Sequence, residues 1–146
     1  MEEIDRRIVS LLSRNGRMSF TELARQAGLS VSAVHQRVRR LETDGVITGY
    51  VALCNPDVIG LPLTAFVSIK PFDQAAPDDV PDRLKDLDAI EACHSVAGEE
   101  SYILKVRVGS PHDLEDLLQV IRTLANVSTR TTVVLSTPYE NRPPGI

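Results

Sequence analysis

The chain is predicted to be an α+β protein of two units: a bundle of short helices, then a sheet with helices on one side. Over the first third, apolar residues recur at helical spacing between helix-capping residues. Beyond residue 63 the period shortens to that of strands, interrupted twice by helical stretches. Asn55-Pro56 and Gly60-Leu61-Pro62 fall where the period changes and mark a hinge. The expected bounds are 1–50 for the first unit, 51–62 for the linker and 63–146 for the second.

In the first unit, Ile4, Ile8, Leu11 and Leu12 mark a helix that Asn15-Gly16 ends. Ser19 followed by Glu22 is a capping box opening a second helix. Its apolar face is Phe20, Leu23, Ala24 and Ala27. Gly28 ends it by taking left-handed backbone at little steric cost. Leu29 then packs inward and Ser30 caps a third helix. Val31, Val34, Val38 and Leu41 share one side of that helix at ~100° per residue. Ser32, Gln36, Arg39 and Arg40 take the opposite side, with His35 and Arg37 on the flanks. Asp44-Gly45 makes a turn, and residues 46–51 read as a strand. The unit is thus a helix-turn-helix with a small β extension, winged-helix-like in outline.

In the second unit, a strand is expected over 63–72 and a short helix over 77–87. Strands over 90–96 and 102–108 follow. Ser110 and Asp113 form another capping box, with Pro111 at the helix start. Leu114, Leu117, Leu118, Ile121, Leu124 and Ala125 make that helix's apolar stripe. A last strand is expected over 127–135. The order β-α-β-β-α-β is a split βαβ, or ferredoxin-like, unit. Both helices lie on one face of such a sheet, so the other face is open. Ala65, Val67 and Ile69 alternate with Thr64, Phe66 and Ser68, and neither set is charged enough for a free surface. The open face is therefore expected to pack on a second copy, giving a homodimer.

Composition narrows the function. No run approaches the ~18 apolar residues of a membrane span, and no signal peptide opens the chain, so a cytoplasmic protein without a membrane partner is expected. Cys54 and Cys93 follow no metal or disulfide spacing and are read as reduced, structural thiols. His35, His94 and His112 sit on separate elements, and no glycine-rich phosphate loop or nucleophile elbow is present. No catalytic or metal site is expected, and the chain is not read as an enzyme.

The net charge is −4, yet residues 1–60 carry 8 Arg against 7 Asp and Glu. The acidic excess lies in the second unit, and the positive charge is focused on the third helix rather than spread. Arginine bonds guanine bidentately and glutamine does the same to adenine, so double-stranded DNA is the expected partner. The candidate contacts are Ser30, Ser32, Ala33, His35, Gln36, Arg37, Arg39 and Arg40. Recognition helices lead with their N-terminal end, so Ser32, Ala33 and Gln36 are assigned to bases, and Arg39 and Arg40 to phosphates. Two such helices on a two-fold axis fit a near-palindromic operator.

The residues from Ile4 on, IDRRIVSLLSRNGRMSFTELARQAGLSVSAVHQRVRRLETDGVITGY and then NPDVIG to Gly60, resemble the Lrp/AsnC, or feast/famine, regulators. The second half is similar to their ferredoxin-like effector domain. The resemblance implies a sequence-specific transcriptional regulator that dimerises through its sheets and commonly closes a ring of four dimers, an octamer. An architectural DNA-packaging protein is the alternative. The resemblance also implies a free amino acid, and no other cofactor, bound where dimers meet. The candidate effector site is the turn at Ser95, Ala97, Gly98, Glu99, Glu100, Ser101 and Tyr102. A glycine-containing turn offers backbone N–H groups to a carboxylate, and Glu99 or Glu100 offers a partner to an ammonium. Relatives commonly place aspartate three residues after the glycine; here Ser101 stands there.

Overall fold

Three helices, α1 (Glu3–Arg14), α2 (Phe20–Ala27) and α3 (Val31–Thr43), open the computed structural model, which describes all 146 residues. They are followed by β1 (Leu63–Pro71), α4 (Val80–Leu84), β2 (Ile90–Ser95), β3 (Tyr102–Val108), α5 (Pro111–Ala125) and β4 (Val127–Val133). The chain divides into two compact units, Met1–Leu53 with Pro138–Ile146, and Cys54–Thr137. Residues 138–146, assigned from sequence to the second unit, thus pack with the first. They follow the last strand, are proline-rich and add nothing to the sheet. No helix is long and apolar enough to cross a membrane.

Local chemistry explains the helix ends of the first unit. Ser19 Oγ accepts the Glu22 N–H at 3.1 Å. The reciprocal half of the capping box is absent, because Arg25 and Gln26 take the Glu22 carboxylate. Gly28 ends α2 at φ +71°, the left-handed backbone that glycine adopts freely. Ser30 Oγ accepts the Ala33 N–H at 3.2 Å and starts α3. Ile8, Leu23 and Val34 are fully buried at the centre, beside Leu12, Ala24, Ala27, Val38 and Leu41.

Three expectations fail here. Phe20 is exposed, its ring edge-on to that of His35 with centroids 5.1 Å apart. Val31 is exposed too, because it is the first residue of α3 and lies at the edge of the buried stripe. The strand over 46–51 does not form. The N–H groups of Val46 and Ile47 both turn back to the Leu41 carbonyl, at 2.9 and 3.0 Å, and close the end of α3. Tyr50 then donates to Glu42 Oε1 at 3.0 Å. Burial, helped by that carboxylate, pushes the Tyr50 phenol up to about 12, so it remains a donor.

In the second unit the sheet order is β2-β3-β1-β4 with every pairing antiparallel, as the split βαβ requires. Ala65, Val67 and Ile69 of β1 pair with Val106, Leu104 and Tyr102 of β3. This face is buried under Leu84 of α4 and Leu114, Leu117, Ile121 and Ala125 of α5. Ser110 Oγ caps α5 through the Asp113 N–H at 3.1 Å. Leu124 lies at the edge of the α5 stripe and is exposed. α4 is five residues long rather than the eleven of 77–87. Asp73 accepts the Ala75 N–H through its side chain and the Ala76 N–H through its carbonyl, folding the preceding segment into turns. Both cysteines are free and exposed, so neither is the structural thiol expected.

Candidate DNA-binding helix and effector cleft

The buried stripe of α3 leaves Ser32, His35, Gln36, Arg39 and Arg40 facing solvent, with Ala33 and Arg37 half-buried. Their availability differs. Ser30 serves as the cap and its hydroxyl lies 3.2 Å from that of Ser32. His35 is packed on Phe20. The side chains of Gln36 and Arg39 have no partner within the chain, so both are open to base edges or phosphates.

Arg37 and Arg40 are engaged elsewhere. Arg37 Nη1 donates to Asp5 Oδ1 and to Glu2 Oε2, each at 2.8 Å, and Arg40 Nη2 donates to Asp5 Oδ2 at 2.7 Å. Asp5 is 3% exposed. Burial alone raises a carboxyl; here the bonds from Arg37 and the charge of Arg40 outweigh it and hold Asp5 below the ordinary range. The sequence reading missed Asp5. Its signal was an acid at the i−3 position of Ile8, on the side of α1 that turns to the core.

The seven candidate effector residues come together along one open cleft of about 550 Å³. Ser101 donates its N–H to the Ile69 carbonyl at 3.0 Å, so the β2–β3 turn lies beside the end of β1. That neighbour brings Lys70, Asp73 and Asp78 into the lining, none of which was anticipated. The pairing of 69 with 102, readable from strand alternation, is the signal that could have found them. The Val96 N–H closes the turn onto the Ser101 carbonyl at 3.1 Å. Gly98 sits at φ +155°, a conformation side-chain-bearing residues rarely take. The N–H groups of residues 97–100 make no bond within the chain and are open to an anion. Of the two carboxylates suggested for an ammonium, Glu100 is paired with Arg130, which leaves Glu99 exposed and unpaired. Tyr102 donates its hydroxyl to Asp78; that bond first, and burial second, push the phenol up to about 12.

Residues 1–48 match a model described as winged helix-turn-helix DNA-binding, and residues 64–144 one described as the Lrp/AsnC ligand binding domain. The HTH-type transcriptional regulator LrpA of Mycobacterium tuberculosis is 56% identical over 97% of this chain and 95% of its own length. The leucine-responsive regulatory protein of Escherichia coli is 39% identical over 92% of this chain and 85% of its own. Among solved structures, the feast or famine regulatory protein of M. tuberculosis complexed with L-methionine superposes with a TM-score of 0.96. It is 55% identical and the match covers 98% of this chain and 97% of that one.

Proposed function

Since the chain belongs to the Lrp/AsnC family of transcriptional regulators, with a DNA-binding and an amino-acid-binding domain, we propose that it binds a specific operator under amino-acid control. In this reading Gln36, with Ser32 and Ala33 nearer the start of α3, reads bases in the major groove, and Arg39 neutralises a phosphate. The protein acts as a homodimer through the open face of its sheet, assembling to an octamer, and its operator is near-palindromic. The effector is a free amino acid in the cleft at the β2–β3 turn. Its carboxylate meets the N–H groups of residues 97–100 and Lys70, and its ammonium meets Glu99 or Asp73.

The observation that carries this reading is the pairing of two unspent groups in one chain: the partner-free Gln36 and Arg39 on a buried-backed helix, and the unbonded N–H groups in the cleft. The solved relative's complex with L-methionine supports the choice of ligand class. Calorimetry with each proteinogenic amino acid, paired with footprinting on genomic DNA, tests it. A discrete two-fold footprint and heat from at least one amino acid are expected. A ladder of protection independent of sequence would favour DNA packaging instead, and no heat from any amino acid would reject the effector site.

A further inference from the structure

We propose that Asp5 is a positioning residue that sets how much of the positive charge of α3 reaches DNA: it withholds Arg37 and Arg40 and leaves Arg39 as that helix's unpaired guanidinium. The inference rests on the reading of α3 as the DNA-facing helix.

The geometry is specific. Glu2 and Asp5 are three apart at the first turn of α1, and Arg37 and Arg40 are three apart on α3, so each pair lies along one helix edge and the edges face each other. The acids sit at the positive end of the α1 dipole, which favours carboxylates there. Both Asp5 oxygens are taken, at 2.8 and 2.7 Å, and the side chain is almost wholly buried. Moving either guanidinium to a phosphate would leave a buried carboxylate short of a partner, whereas a phosphate contact is made at the wet surface of a groove. The two arginines therefore stay on Asp5.

The consequence is functional. Phosphate contacts supply non-specific affinity and carry no sequence information. A helix with three free arginines would hold any duplex; this one exposes a single unpaired arginine beside Gln36. Asp5 thereby lowers binding to random DNA while leaving base contacts in place, which raises the ratio of specific to non-specific affinity.

The test is fluorescence anisotropy of the full chain on a random-sequence duplex across a salt series. The variants are Asp5→Asn, Asp5→Glu, Arg40→Gln, and Asp5→Asn combined with Arg40→Gln. Asp5→Asn should steepen the dependence of log Kd on log salt by about 0.9 per freed guanidinium and tighten binding at low salt. Arg40→Gln should remove about one unit more slope in the Asp5→Asn background than in the parent. Rescue of the parental slope by Asp5→Glu would support the clamp. An unchanged slope in Asp5→Asn, or the same loss from Arg40→Gln in both backgrounds, would overturn it. Should circular dichroism show Asp5→Asn unfolded, Arg39→Gln and Arg40→Gln in the parent replace it. A loss of slope of about 0.9 from Arg39→Gln and clearly less from Arg40→Gln supports the proposal, and equal losses reject it. A parent chain that binds no duplex even at low salt rejects the DNA reading itself, a separate failure.

Discussion

The proposed reading gives Gln36 and Arg39 different jobs on neighbouring turns of α3, and single substitutions separate them. Gln36→Ala should relax preference at one base position and cost roughly 1–3 kcal/mol there, read by binding to single-base variants of the operator. Arg39→Ala should instead weaken all duplexes alike and flatten the salt dependence by about 0.9 of a unit. Arg40, given equal weight in the sequence reading, should lose less because Asp5 already holds it. The difference was hidden in the sequence by distance. Asp5 precedes Arg37 and Arg40 by 32 and 35 residues, and no local pattern links them. Gly28, by contrast, was legible because its requirement is local. A Cβ there would meet nothing within 4 Å, so the cost of Gly28→Ala is one of backbone conformation alone. Urea unfolding should show a loss of about 1–2 kcal/mol.

At the scale of elements, the helix caps were readable and the short connections were not. Ser19, Ser30 and Ser110 each bond an N–H three residues on, a relation contained in a few letters of sequence. Ser30→Ala should cost about 1 kcal/mol in chemical denaturation and blunt DNA binding, since it frays the end of α3 proposed to read bases. The strand expected over 46–51 and the longer α4 depended on where backbone N–H groups would go. Leu41 and Asp73 claimed them, and neither choice is visible in apolar periodicity. The junction of α1 with α3 should be acid-sensitive. Asp5 is held below its unfolded value, so its contribution is fully present above that value. It is lost as pH falls through the folded pKa, below about pH 4. Thermal melts of the parent should therefore drop over this range more steeply than those of Asp5→Asn.

For the whole molecule, α4 and α5 cover one face of the sheet, and the opposite face is partly exposed, with Thr64 buried and Ser68 half-buried. Phe66 stands on the latter, 40% exposed, between Lys105 on β3 and Thr132 on β4. A copy of the same face is the expected cover. Phe66→Lys should place like charges across that contact and shift the protein to monomer in light scattering, with far-ultraviolet dichroism unchanged. Monomers should also bind operator DNA far more weakly, because two α3 helices on one axis are then no longer linked. The β-α-β-β-α-β order, readable from sequence, is what places both helices on one side of the sheet. The cleft was only half legible, because its second wall comes from the end of β1, brought alongside by register.

Whether α3 reads a defined DNA sequence under amino-acid control, as proposed, is decided by selecting duplexes from a random pool with and without a mixture of amino acids. Enrichment of one two-fold-symmetric motif, a change in that enrichment when amino acids are present, and loss of preference at one base position in Gln36→Ala are expected. Retention of DNA with no enriched motif, identical with and without amino acids, would overturn the proposal.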